Sequence, residues 1–136
     1  MHAAGSDNLR CRILFTDDDE DIRRLNADAL KQMGHQVDTA EDGAAAWEAL
    51  SKTCYDLLIT DNKMPKVTGI ELLEKVRGAG MALPIIMATG SLPSEAFARQ
   101  PWLTPEGTLL KPYTLPELLK MVKSVLNARA GALATV

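Results

Sequence analysis

Ile13-Leu14-Phe15-Thr16-Asp17-Asp18-Asp19-Glu20 is a brief apolar run that stops at a burst of acids. It reads as a strand that ends in charge. Beyond it, Ile22, Leu25, Ala29, Leu30 and Met33 fall near helical spacing, and Gly34 suits the position just past a helix end. The same alternation returns along the chain. Gln36 to Ala40 is a weak strand, its pattern blurred by Asp38, and Asp42 can cap a helix running through Ala44 to Leu50. Leu57-Leu58-Ile59-Thr60 is apolar throughout, which predicts a strand covered on both faces. Thr68 and Glu71 have the spacing of a capping box ahead of Ile70, Leu72, Leu73 and Val76.

Pro84 to Ala88 gives a fourth strand and Thr108-Leu109-Leu110 a fifth. Thr114 and Glu117 repeat the capping spacing, with Pro116 tolerated in the first turn. The helix that follows carries Leu118, Leu119, Val122, Val125 and Leu126 on one stripe. Between Thr89 and Thr108 stand Pro93, Pro101 and Pro105, so only Ser94 to Gln100 has room for a helix. A short or irregular fourth helix is expected there, with Trp102 and Leu103 plugging the gap. Residues 1–11 are expected to be a flexible tail, 12–128 the domain, and 129–136 a small-residue tail that frays.

Composition sets the outer limits. At 136 residues, with 46% hydrophobic and 24% charged, the chain has the size of one domain with a real core. Fifteen Lys+Arg against eighteen Asp+Glu give a net charge of -3 and no basic cluster, which excludes a generic nucleic-acid or polybasic membrane binder. No apolar run approaches the ~20 residues that span a bilayer. Met1 to Arg12 lacks the apolar segment of a signal peptide. Cys11 and Cys54 make neither a disulfide framework nor a zinc site, and a reduced, cytoplasmic setting is expected.

Alternating strands and helices of this size imply an α/β fold, a parallel sheet with helices on both faces. Right-handed crossovers point every strand's carboxyl end to one edge, where such sheets hold their ligands. Residues just after the strands are thereby neighbours. After the first strand come Asp17 and Asp18, after the third Asp61, after the fourth Thr89 and Gly90, after the fifth Lys111. Taken singly, each has a structural reading: caps, turn residues, a surface lysine. Together they are three carboxylates, a hydroxyl and an ammonium. Desolvated carboxylates need a cation to stay ionised, and one lysine is too little for three. Mg²⁺ suits the remainder, since it takes one or two carboxylates, waters and phosphate oxygens. The constellation suggests phosphoryl chemistry.

Four motifs carry a resemblance: Ile13 to Glu20, Asp61-Asn62-Lys63-Met64-Pro65, Ala88-Thr89-Gly90, and Lys111-Pro112-Tyr113. In order and at these spacings, over roughly Arg12 to Ala128, they resemble the receiver domain of bacterial two-component response regulators. The resemblance implies a flavodoxin-like five-stranded sheet of order 2-1-3-4-5. It implies Asp61 as phosphoacceptor, and Asp17, Asp18, Asp61 and the Lys63 backbone carbonyl as ligands of Mg²⁺ or Mn²⁺. Thr89 and Lys111 would bind phosphoryl oxygens, and the Lys111–Pro112 peptide would be cis. The implied donor is a sensor histidine kinase or histidine phosphotransfer protein, and the implied output is an unidentified downstream protein target. Thr108 stands where the family swings an aromatic inward, so a non-standard output surface using Trp102 or Tyr113 is expected.

Three rivals share parts of this pattern. A haloacid-dehalogenase-type aspartyl phosphatase would use Asp17 and Asp19, but would leave Asp61 unexplained. A flavodoxin-like redox module would want a Ser/Thr/Gly-rich phosphate loop where this chain has five acids. A phosphorylation-independent docking module would have no use for Asp61, Thr89 and Lys111. No output domain is expected, which leaves a stand-alone receiver, a relay intermediate and a piece of a hybrid kinase all open.

Overall fold

A computed structural model describes residues 10–134, with side chains through residue 131. Its elements are β1 (Arg12–Thr16), α1 (Glu20–Gln32), β2 (Gln36–Ala40), α2 (Gly43–Lys52) and β3 (Leu57–Thr60), then α3 (Gly69–Gly78), β4 (Ile85–Thr89), α4 (Ser94–Arg99), β5 (Gly107–Leu110) and α5 (Leu115–Ala134). The strands form one parallel sheet in the order β2-β1-β3-β4-β5. This is the expected doubly wound topology.

The apolar strand runs are explained by two cores. Ile13 and Phe15 of β1, Leu57 and Ile59 of β3, and Ile86 and Ala88 of β4 face Leu30 of α1 and Leu118, Val122, Val125 and Leu126 of α5. The alternate residues Leu14, Leu58, Ile85 and Met87 face Ala46 and Leu50 of α2 and Leu72, Leu73 and Val76 of α3. With both faces covered, alternation carries no polar signal. Each fully buried Leu, Ile or Phe here contributes roughly 1.5–3 kcal/mol of transfer free energy. That fixes the register, and the register fixes which residues lie just past the strand ends.

Helix starts follow the predicted chemistry. Asp19 caps α1 by accepting from the Asp21 and Ile22 amides. Asp42 caps α2 through the Ala45 amide. Thr68 with Glu71, and Thr114 with Glu117, form reciprocal boxes at α3 and α5. Gly34 takes φ +98° just after α1.

Four details differ from the expectations. Leu103, in a 3-10 turn over Pro101–Leu103, fills the gap left by the six-residue α4, but Trp102 beside it is 52% exposed. On so tight a turn, neighbouring side chains cannot share one face. Leu25 lies on the helical stripe by spacing yet is 58% exposed. The expected fraying tail instead continues α5 to Ala134, through a run rich in alanine, the best helix former, with Arg129 anchored on the Asp56 carbonyl at 2.7 Å. At the other end, residues 1–9 lie outside the described part, while Cys11 packs on the first core and its amide donates to His35 Nδ1.

His35 gives a pH prediction. Burial holds its pKa below the usual histidine value. As pH falls through the ordinary histidine range, the unfolded chain takes up a proton that the folded chain refuses, so stability falls. Urea midpoints at pH 7.5 and 5.5 should drop more for the native chain than for His35→Asn, whose Oδ1 can replace the Nδ1 acceptor. Equal drops would count against it.

Candidate functional site

Backbone bonds that extend beyond the strands tie their ends pairwise, β1 to β2, β3 to β1 and β5 to β4. The Asp17 amide donates to the Ala40 carbonyl, the Asp61 amide to the Thr16 carbonyl, and the Lys111 amide to the Thr89 carbonyl. Asp17, Asp61 and Lys111 are therefore held in place as continuations of β1, β3 and β5. Thr60 pairs with Met87, which puts Thr89, buried at the end of β4, level with the residues just after β3.

The side chains converge. Lys111 Nζ donates to Asp17 Oδ2 at 2.6 Å and to Asp61 Oδ2 at 2.8 Å. One carboxylate oxygen from each of Asp17, Asp18 and Asp61 lies within 4.8 Å of the others. Asp17 and Asp61 are buried and Asp18 is exposed, so the group opens to solvent on one side. Asp61 Oδ1 accepts from the Asn62 amide at 2.6 Å, and Asp17 Oδ1 from the Asp19 amide at 3.0 Å. The Lys111–Pro112 peptide is cis.

Electrostatics follow from this packing. Burial pushes the Asp17 carboxyl above its ordinary range, the nearby Asp61 charge pushes the same way, and Lys111 opposes both. Burial alone would lower the Lys111 ammonium, but its bonds to Asp17 and Asp61 outweigh that and hold it above the ordinary lysine value. With all four groups ionised, one ammonium among three carboxylates leaves two negative charges uncompensated. The donor set is all oxygen, without sulfur or imidazole, and suits a hard divalent cation such as Mg²⁺ or Mn²⁺.

Of the residues singled out from sequence, Asp17, Asp18, Asp61 and Lys111 are brought together. Lys63 is two residues past Asp61 with its side chain exposed, outside the carboxylate group. Asp19, which a dehalogenase-type site would need, spends its carboxylate on the α1 cap. Two supports were not anticipated. Arg23 Nη1 reaches back from α1 to the Asp17 carbonyl at 2.8 Å, and the Tyr113 hydroxyl donates to Asn26 Oδ1 at 3.1 Å. Arg23 stands four residues after the Asp19 cap, one helical turn, which is the only trace of its role in the sequence. Burial pushes the Tyr113 hydroxyl up to about 12. Thr108 is exposed on β5, so this position offers no ring to bury.

Comparison with known proteins agrees with the topology. The family model described as the response regulator receiver domain matches residues 13–123. The chain is 38% identical over 112 residues to the sensor histidine kinase RcsC of Escherichia coli strain K12, covering 82% of this chain and 12% of that one. It therefore spans about an eighth of the length of that relative. It is 32% identical over 117 residues to the response regulator receiver protein CpdR of Brucella abortus, covering 86% of this chain and 98% of CpdR. Among solved structures, the response regulator protein TrrA of Thermotoga maritima superposes with a TM-score of 0.72 at 30% identity, covering 84% of this chain and 97% of that one. The matched residues take in every strand end that feeds the pocket, and the chain belongs to the receiver-domain family of two-component response regulators.

Proposed function

We propose that Asp61 accepts a phosphoryl group from a phosphohistidine on a sensor histidine kinase or histidine phosphotransfer protein, and that the modified chain presents an altered surface to a downstream protein. The observation that carries this reading is the bridge of Lys111 between Asp17 and Asp61, three residues supplied by three different strand ends. TrrA, described in complex with Mg²⁺ and beryllium fluoride, is consistent with it.

In the proposed step an Asp61 carboxylate oxygen attacks phosphorus in line. The P–O bond forms as the P–N bond breaks, and the donor imidazole leaves with the electron pair and takes up a proton. The product is an acyl phosphate. Asp17, Asp18, Asp61 and the Lys63 carbonyl would hold Mg²⁺ or Mn²⁺, which when bound neutralises charge on the phosphoryl oxygens. Lys111, already at Asp61 Oδ2, passes its hydrogen bond to a phosphoryl oxygen, and the Thr89 hydroxyl donates to another. Gly90 leaves room beside Thr89 for the group to enter. The chain works as a signalling module, not a turnover enzyme, and the readout follows Lys111 into Tyr113 and, through Asn26, into α1, since position 108 has no aromatic. No helix among the described residues is long and apolar enough to cross a membrane, which fits the cytoplasmic setting we propose.

Incubation with Mg²⁺ and acetyl phosphate, followed by intact mass, tests the chemistry. One added phosphoryl group is expected, absent in Asp61→Asn and when the metal is chelated. An unmodified native chain, or a modified Asp61→Asn, overturns the assignment.

A further inference from the structure

Asn62, next to the proposed phosphoacceptor, carries more bonds than a loop residue needs. Its amide donates to Asp61 Oδ1 at 2.6 Å, its carbonyl accepts from the Gly69 amide at 2.9 Å, and its side-chain Oδ1 accepts from the Ile70 amide at 3.0 Å. The first bond fixes the Asp61 carboxylate, and the other two grip the first turn of α3. That turn already has its own cap, because Thr68 Oγ1 accepts from the Glu71 amide and Glu71 returns a bond to the Thr68 amide. The Ile70 amide is one of the donors such a cap leaves orphaned, and Asn62 supplies its partner across eight residues.

The contact is close as well as bonded. A methyl group at Gly69 would fall 2.3 Å from the Asp61 carbonyl oxygen and 2.8 Å from Asn62 Cα. The start of α3 is therefore pressed against the Asp61–Asn62 backbone, and the Asn62 carboxamide keys the two together. We infer that Asn62 is a positioning residue, which uses the rigid start of α3 to aim the Asp61 carboxylate and the Lys63 carbonyl at one cation. Without the carboxamide, the segment from Asp61 to Lys63 loses its one side-chain anchor on α3, and the ligand group loosens while the helix keeps its own cap. This inference rests on the metal site proposed above.

The test sets Asn62→Ala against Thr68→Ala, since each removes one acceptor from neighbouring amides of the same helix. Mg²⁺ alone is titrated into the ¹⁵N-labelled chain and followed through the amide shifts of residues 17–19 and 61–63, with urea midpoints recorded in parallel. Both variants should lose stability to a similar extent. Asn62→Ala should weaken Mg²⁺ binding by about 10-fold or more, the usual scale for partners that orient a ligand, while Thr68→Ala stays within about twofold of the native chain. Asn62→Ser, too short to reach the Ile70 amide, gives the same reading should the alanine variant not fold. Equal weakening in both variants, or none in Asn62→Ala, overturns the inference and leaves the site itself standing. A native chain that binds no Mg²⁺ overturns the metal reading, and this one with it.

Discussion

Lys111→Met should make the chain less stable, bind Mg²⁺ more tightly and accept a phosphoryl group far more slowly. The three effects have one origin. Lys111 Nζ is bonded to both buried carboxylates, with only 21% of its side chain exposed. Removing it leaves Asp17 and Asp61 facing each other without compensation, at a cost on the order of 3 kcal/mol in metal-free buffer. The same ammonium repels a divalent cation brought to those oxygens, and its loss should tighten Mg²⁺ about tenfold. Excess Mg²⁺ then restores much of the lost stability by mass action. The rate of phosphoryl uptake should still fall about 100-fold, because a positioned donor to the developing charge is missing. Thermal midpoints with and without Mg²⁺, and the time course with acetyl phosphate, check this. Weaker Mg²⁺ binding in the variant would show that Lys111 does not compete for those oxygens.

Gly69→Ala is the second large effect, and its sign is what decides it. Alanine in a helix is ordinarily better than glycine by roughly 1 kcal/mol. At position 69 the added methyl meets the Asp61 carbonyl oxygen, a backbone atom with no side-chain freedom to yield. We expect a net loss of about 3 kcal/mol. Gly78, at the other end of the same helix, has nothing within 4 Å of the added methyl, and Gly78→Ala should gain about 0.5 kcal/mol. Urea unfolding of the pair measures both. A stabilised Gly69→Ala would mean that α3 does not press on the Asp61 loop.

The ends of the strands were readable because the sheet is covered twice. Leu57-Leu58-Ile59 and Ile85-Ile86-Met87 are apolar in unbroken runs, and the polar residues within two positions of each run, Asp61 and Thr89, mark the edge where chemistry collects. Helix starts were readable because capping is local, as at Thr68 and Thr114. β2 reads weakly because it is an edge strand. Its Asp38 is satisfied by Arg12 and by the Tyr55 hydroxyl, partners that no local pattern announces. Trp102 was misplaced because hydrophobicity says what a side chain prefers, while the 3-10 turn decides which of two neighbours points inward. Asn62 and Arg23 left almost no mark in the sequence for a related reason. Each acts through a backbone atom, and a backbone atom leaves no letter in a sequence.

β5 closes the sheet as an open border only four residues long. Pro105 stands just before it and Pro112 just after, and neither has an amide to offer. A strand from another molecule trying to zip onto this border would find a short track with a stop at each end. Leu110, 58% exposed on that track, can thus be left uncovered at little risk of runaway stacking between molecules. Pro105, one of the prolines that shorten the fourth helix region, thus also acts with Pro112 as a buffer against amyloid-like growth.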